Sequence, residues 1–209
     1  MSILVDALVV GGGILLGRWL SRALRARRRS GDGTPAGAQR GATQPASNPF
    51  AGMPCKLGDV VVRTAERDEA WLAGALVFEE EKPVAALFVA PEAGGDRALF
   101  VRNAPGSGLT WLVPLAKGAL PLTSDPPHAV EHEGARYERA RRLPVKVTRV
   151  GTGAPTVGAR AVVAEYAGAA AERLVVVAGS EQTLAWKGVS LAEGEYDVLP
   201  GGTSTLERD

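Results

Sequence analysis

Short runs of β-branched and aromatic residues, separated by turn-forming stretches, recur along most of this chain and restrict its fold more than any other feature. Gly, Pro, Asn and Asp cluster between the runs, as expected for antiparallel hairpins. We therefore expect an all-β domain, an antiparallel β-sandwich or barrel-like fold of about ten strands. The predicted strands are Val60–Arg63, Trp71–Phe78, Val84–Val89, Ala98–Val101, Leu109–Leu115, Val145–Val150, Ala161–Tyr166, Leu174–Val177, Thr183–Trp186 and Tyr196–Leu199.

Charge divides the chain at residue 54. Residues 1–54 carry seven arginines and no lysine against two aspartates, a net charge of +5, whereas residues 55–209 carry 17 basic and 21 acidic groups, a net charge of −4. The formal charge of +1 therefore hides a segregation of charge. We predict a membrane helix with a basic flank in residues 1–29, a disordered linker rich in Gly, Pro and Ala in 30–54, the β-domain in 55–202, and a flexible tail in 203–209.

The segment from Ile3 to Leu20 is almost wholly apolar. As a helix it would be about 27 Å long, close to the ~30 Å of a hydrocarbon core. Basic residues follow this segment rather than precede it, which is the reverse of a cleaved signal peptide. The positive-inside rule then places the amino terminus outside and the β-domain in the cytoplasm. The predicted anchor residues are Ile3, Leu4, Val9, Leu15, Leu16 and Trp19, and the residues that set topology or meet lipid headgroups are Arg18, Arg22, Arg25, Arg27, Arg28 and Arg29.

Alternatives to a spanning helix stay open. The arginines would also suit an interfacial helix on anionic lipid, although Gly11–Gly13 would weaken such a helix in water. A soluble terminus is the third alternative. Gly13 and Gly17 have the spacing at which two membrane helices pack closely, which would give a homodimer through the anchor, but glycine is also common in unpaired membrane helices.

No pattern in the sequence is typical of a catalytic, metal or cofactor site. His128 and His132 flank Glu131, but in an extended segment the two histidines would lie about 13 Å apart, too far for one metal ion. Cys55 is the single cysteine and has no nearby histidine to activate it. We therefore predict no enzymatic activity and no cofactor. A small-ligand-binding or hydrolytic enzyme with its site in a β-domain cleft is the alternative.

One local basic patch interrupts the otherwise acidic β-domain. It would bind anionic lipid or an acidic partner, or simply line the exposed side of a strand. Its members are Arg136, Arg139, Arg141 and Arg142.

Tryptophans in the β-domain are predicted to lie in its core. Trp71, Trp111 and Trp186 each fall in an apolar strand run, and they are not interleaved with several basic residues as in nucleic-acid readers. Nucleic acid is therefore not an expected partner. We expect the lipid bilayer and another protein as partners, and an adaptor or accessory binding protein as the function.

Several motifs between residues 56 and 202 resemble an uncharacterised bacterial family, the domain of unknown function number four-one-seven-eight. The resemblance implies a β-rich bacterial domain inside the cell, without established catalytic residues, and with the anchor it places the chain at the bacterial inner membrane. The motifs are Leu57-Gly-Asp-Val-Val61, Trp111-Leu112, Gly134-Ala-Arg-Tyr137 with the strand that ends at Gly151, Pro155, Glu165-Tyr166-Ala-Gly168, Gly188-Val-Ser-Leu191 and Pro200-Gly201.

Overall fold

The computed structural model describes residues 48–92 and 96–201, which form an all-β domain, as predicted. The described residues contain twelve strands. In chain order these are β1 (Val60–Arg63), β2 (Glu69–Trp71), β3 (Gly74–Glu79), β4 (Pro83–Ala90), β5 (Arg97–Arg102), β6 (Leu109–Pro114), β7 (Ala129–His132), β8 (Ala135–Gly151), β9 (Arg160–Ala167), β10 (Glu172–Gly179), β11 (Thr183–Leu191) and β12 (Tyr196–Leu199).

Eight of the strands close into an antiparallel barrel in the order β3-β4-β5-β6-β11-β10-β9-β8, with β8 pairing back to β3. Closure depends on β8, which is 17 residues long. Its first part pairs with β7, its middle with β9 and its last part with β3. Of the two architectures that the sequence allowed, the barrel is the one observed, and closure leaves its eight strands without a free edge.

The inside of the barrel is filled with apolar side chains. Leu76, Phe78, Leu87, Phe100 and Trp186 are all buried there. An eight-stranded barrel is just wide enough for such side chains to fill its interior. The segment between β8 and β9 contributes two further buried residues, Ala154 and Val157, to the same core.

Two more layers cover the outside of the barrel. The three-stranded sheet β12-β1-β2 lies over β3 to β6, so Val61 packs in one core with Phe88. The connection between β6 and β7 lies over β8 to β11, where Leu120 packs in a third core with Tyr166. Because both faces of β4 are buried, residues 85–90 are apolar without alternation.

The observed strands differ most from the predicted ones in two regions. The run Trp71–Phe78 is divided, because β2 ends at Trp71 in the small sheet and β3 begins at Gly74 in the barrel. The strand β7 and the first part of β8 were not predicted. These segments lack an apolar run in the sequence, because Arg and Glu residues occupy the exposed side of the two strands.

The packed domain begins before Cys55, where the sequence predicted its start. Phe50 is only 7% exposed, and the centroid of its ring lies 5.1 Å from that of Phe88. Met53 packs against the same core. The predicted linker therefore includes one buried and one partly buried apolar side chain, although its composition is rich in Gly and Pro. Residues 30–47 and 202–209 lie outside the described residues.

Candidate functional site

The residues predicted to anchor the chain in a membrane lie outside the part that the structure describes. This applies to the anchor side chains, to Gly13 and Gly17, and to the arginines from 18 to 29. Between residues 48 and 92 and between 96 and 201, no helix is long and apolar enough to cross a bilayer. The anchor therefore stays a prediction.

Two arginines of the predicted basic patch hold the segment that precedes β7. Arg139 donates a hydrogen bond to the carbonyl oxygen of Pro126 and lies 3.2 Å from the His128 ring. Arg142 donates to the Asp125 carboxylate at 2.9 Å. These guanidinium groups are thus occupied by neighbouring protein atoms.

The other two arginines of the patch lie apart from this pair. Arg141 faces the Glu165 carboxylate, because the register of β8 on β9 shifts between Arg139 and Arg141. Arg136 pairs with Glu138, with both side chains exposed. The β-bulge therefore divides the predicted patch, and the four arginines do not form one continuous cationic surface.

The two histidines lie at the edge of the barrel, close to β7. His132 is the last residue of β7, and its Nε2 lies 3.7 Å from the Glu133 carboxylate, whereas His128 contacts Arg139. Within the described ranges, no three His, Cys, Asp or Glu side chains are arranged to hold a metal ion. The histidines therefore have local partners rather than a shared ligand.

Cys55 is buried against the barrel. Burial, with a smaller contribution from the Asp59 carboxylate, raises the pKa of its thiol to about 12. A nucleophilic cysteine requires the thiolate form, which such a pKa makes rare at neutral pH. Its role is packing beside Phe50 and Val61.

A carboxylate lies at one end of the barrel interior. Glu165 of β9 shares its inward face with Val163, and its side chain is 14% exposed. Arg102 lies on β5, the strand opposite β9, and its Nε is 3.5 Å from Glu165 Oε2. The Arg141 Nε is 3.9 Å from Oε1, an atom that has no hydrogen-bond partner among the described residues. This group, the Glu165 cluster, links opposite walls of the barrel.

Burial dominates the ionisation of Glu165. It raises the pKa of the carboxyl group, and the charges of Arg102, Arg141 and Arg173 oppose this with smaller effects. The folded state therefore holds the proton more tightly than the unfolded state. The resulting stabilisation is present below the unfolded pKa and is lost as pH rises through the folded pKa.

The variant Glu165→Gln tests this balance. It keeps the shape of the side chain but cannot ionise, so we expect it to be at least as stable as wild type at pH 7. At about pH 4 this advantage should disappear, because the wild-type carboxyl group is then protonated and neutral as well. Urea unfolding followed by tryptophan fluorescence at both pH values measures the difference. A variant clearly less stable than wild type at pH 7 would show that the arginine pairs outweigh burial.

The outer face of the three-stranded sheet exposes a row of apolar side chains. Val60 of β1 is the register partner of both Trp71 on β2 and Leu199 on β12, so the three side chains lie next to one another. Trp71 is 55% exposed and Leu199 is 53% exposed. The prediction that Trp71 lies in the core is wrong, because its neighbour Ala70 occupies the inward position of β2. Trp111 and Trp186 are buried, as predicted.

Two carboxylates complete this face. In the next row Val62 lies between Glu69 and Asp197, and neither acid forms an ion pair with a described residue. The cation of β1, Arg63, instead stacks over the Trp111 ring at 5.6 Å and pairs with Glu66. We name this surface the Trp71 face; it comprises Val60, Val62, Glu69, Trp71, Asp197 and Leu199.

Three residues of the motifs behind the family resemblance, Tyr166, Gly168 and Gly201, lie at close-packed positions. Tyr166 is buried and donates a hydrogen bond to the Pro127 carbonyl oxygen at 2.8 Å. A Cβ atom on Gly168 would lie 2.7 Å from the Tyr137 ring, and one on Gly201 would lie 2.2 Å from the Gly58 carbonyl oxygen. These three residues therefore serve packing.

Comparison with known proteins finds no matching family model, no matching curated protein and no matching solved structure.

Proposed function

We propose that this chain is a membrane-tethered adaptor whose β-domain binds another protein through the Trp71 face. The row in which the exposed Trp71 and Leu199 side chains flank the half-buried Val60 is the observation that carries the proposal. Large apolar side chains that are adjacent and exposed mark interaction surfaces, and tryptophan contributes more binding energy than most residues. The chemistry of the partner follows from the residues of this face.

The charges of the Trp71 face select the kind of partner. Glu69 and Asp197 would repel an anionic membrane surface and nucleic acid. A protein segment that combines basic and apolar side chains would instead pair with both carboxylates and cover the apolar row. We therefore assign the face to a basic, partly apolar segment of another protein.

The predicted anchor adds a second element to this function. A domain tethered near a membrane meets membrane-bound partners at an effective concentration in the range of about millimolar. The arginines that follow the apolar segment place the domain on the cytoplasmic side in this proposal. Pairing of two anchors through Gly13 and Gly17 would present two Trp71 faces together.

Carbonate extraction tests the anchor. We expect the full chain to stay in the membrane pellet, because about twenty apolar residues suffice to span a bilayer. A chain that starts at residue 48 should be released, and so should the variant Val9→Lys/Leu15→Lys, since each central lysine costs roughly 3 kcal/mol in a membrane.

Two results would contradict the anchored topology. One is release of the full chain by carbonate. The other is activity of a periplasmic reporter fused after Asp209, because the proposed orientation allows only a cytoplasmic reporter to be active there.

A further inference from the structure

A groove of about 500 Å³ crosses the outer face of β8, β9 and β10. Its apolar floor is one row of register partners, in which Val162 lies between Pro144 and Ala178. The connection between β6 and β7 lines it at Ser124, and the β3–β4 hairpin lines it at Glu79 and Glu80. The volume is within the range of about 300–1,000 Å³ typical of small-molecule sites.

A polar row lies beside the apolar one in the same groove. Lys146 of β8 and Arg160 of β9 are direct register partners, and Ser180 continues this side of the groove after β10. Like charges placed directly opposite each other destabilise a sheet. Neither cation forms an ion pair with a described residue, although the Glu79 and Glu80 side chains line the same groove.

The charges in the groove are not evenly spread. Glu79 of β3 is the register partner of Lys146, whereas Arg160 lies one strand further from that acid. Neighbouring strands are about 4.8 Å apart, so the Cα atoms of Arg160 and Glu79, which lie two strands apart, are separated by roughly 10 Å. The end of the groove at Arg160 and Ser180 is therefore its positive end.

We infer that this groove binds a free amphiphile that has one anionic headgroup and a single apolar chain, such as a fatty-acid carboxylate. The headgroup lies against Arg160 and Lys146, within reach of the Ser180 hydroxyl group. The apolar chain of the ligand lies along the floor of the groove. The floor row at Pro144 is about 6.6 Å from the cationic row at Lys146, which is the spacing of two residues in a strand. This ligand goes beyond the proposed adaptor function and uses a different surface.

The concave shape favours a free molecule over bilayer lipid. The groove is bounded by Ser124 on one side and by the hairpin at Glu80 on another. A flat bilayer surface cannot enter between such walls, whereas a single chain in solution can. The negative charge of the headgroup would pair with the positive charge of Arg160, which forms no ion pair with a described residue.

A photoreactive decanoate tests the inference on the full chain in discs of zwitterionic lipid. We expect mass spectrometry to map the label to residues 144–146, 160–162 and 178–180. Unlabelled decanoate should displace it, and decanol should not, because decanol lacks the charge. The variant Lys146→Gln/Arg160→Gln should reduce labelling at least tenfold, while Arg136→Gln, an exposed residue of the same strand outside the groove, should leave labelling unchanged.

Three outcomes would overturn the inference. Equal displacement by decanol would show apolar partition only, and labelling spread over the domain would show that the groove is not a site. Labelling confined to discs that contain anionic phospholipid would assign the groove to bilayer lipid. The Trp71 face and its partner are unaffected by each of these results.

Discussion

Replacing Gly188 with alanine is expected to destabilise the barrel by about 3 kcal/mol, a large effect for one methyl group. At this position β11 lies so close to β6 that a Cβ atom would be 1.8 Å from the Trp111 carbonyl oxygen and 2.9 Å from the Leu112 Cα. These atoms belong to the backbone, so only a separation of the two strands would relieve the clash. Urea unfolding followed by tryptophan fluorescence measures the change.

Gly118→Ala is the matched control. Gly118 lies in the β6–β7 connection with a φ of +84°, and a Cβ atom there would meet nothing within 4 Å. Alanine at this site therefore carries only the conformational cost of a positive φ, about 1 kcal/mol. If Gly188→Ala unfolds at the same urea concentration as Gly118→Ala or wild type, the close approach of β6 and β11 is wrong.

The fold class was predictable because the signal for strands is local. Runs such as Val60–Arg63 and Tyr196–Leu199 coincide with β1 and β12, since turn residues bound them on both sides. Barrel closure was not predictable. It depends on the pairing of β3 with the end of β8. Neither segment contains a sequence pattern that indicates which distant strand it will pair with.

The burial of residues in short elements was not predictable for a second reason. The strand β2 has only three residues, too few to show which side faces the core, so Trp71 was assigned to the interior. Phe50 lies in a stretch that is polar and rich in Gly and Pro, and its burial depends on Phe88 from a distant strand. A single apolar residue in such a stretch carries no periodicity.

The candidate sites show the same limit. The sequence placed Arg136, Arg139, Arg141 and Arg142 in one patch, and a β-bulge distributes them between separate partners. The Trp71 face and the pairing of Lys146 with Arg160 depend on which residues of neighbouring strands lie opposite each other, and this register cannot be read from the sequence. The family resemblance stays a prediction, as does the anchor.

Replacing Trp71 with serine is expected to weaken partner binding about 30-fold, equivalent to about 2 kcal/mol. The side chain is half exposed at the end of the apolar row, so its loss removes contact area from the interface. The stability of the domain should change little, because Ala70 rather than Trp71 packs inward. Affinity capture with the full chain from solubilised membranes isolates the partner, and titration of that protein against wild type and variant measures the loss.

Val113→Ser is the control for this variant. Val113 is 40% exposed on β6, a barrel strand that is not part of the three-stranded sheet, and it is also a large apolar residue. We expect it to bind the partner as wild type does. Equal losses for both variants would indicate a general change in the domain surface rather than a docking site.

Photo-crosslinking in growing cells tests whether the Trp71 face binds a protein, with a photoreactive residue in place of Leu199 or, as a control, of Val113. We expect one discrete protein adduct from position 199 and none from position 113. Charge reversal by Glu69→Lys/Asp197→Lys should abolish that adduct, because a basic partner segment would then be repelled. Equal adducts from both positions, or adducts with lipid alone, would contradict the assignment of the Trp71 face to a protein partner.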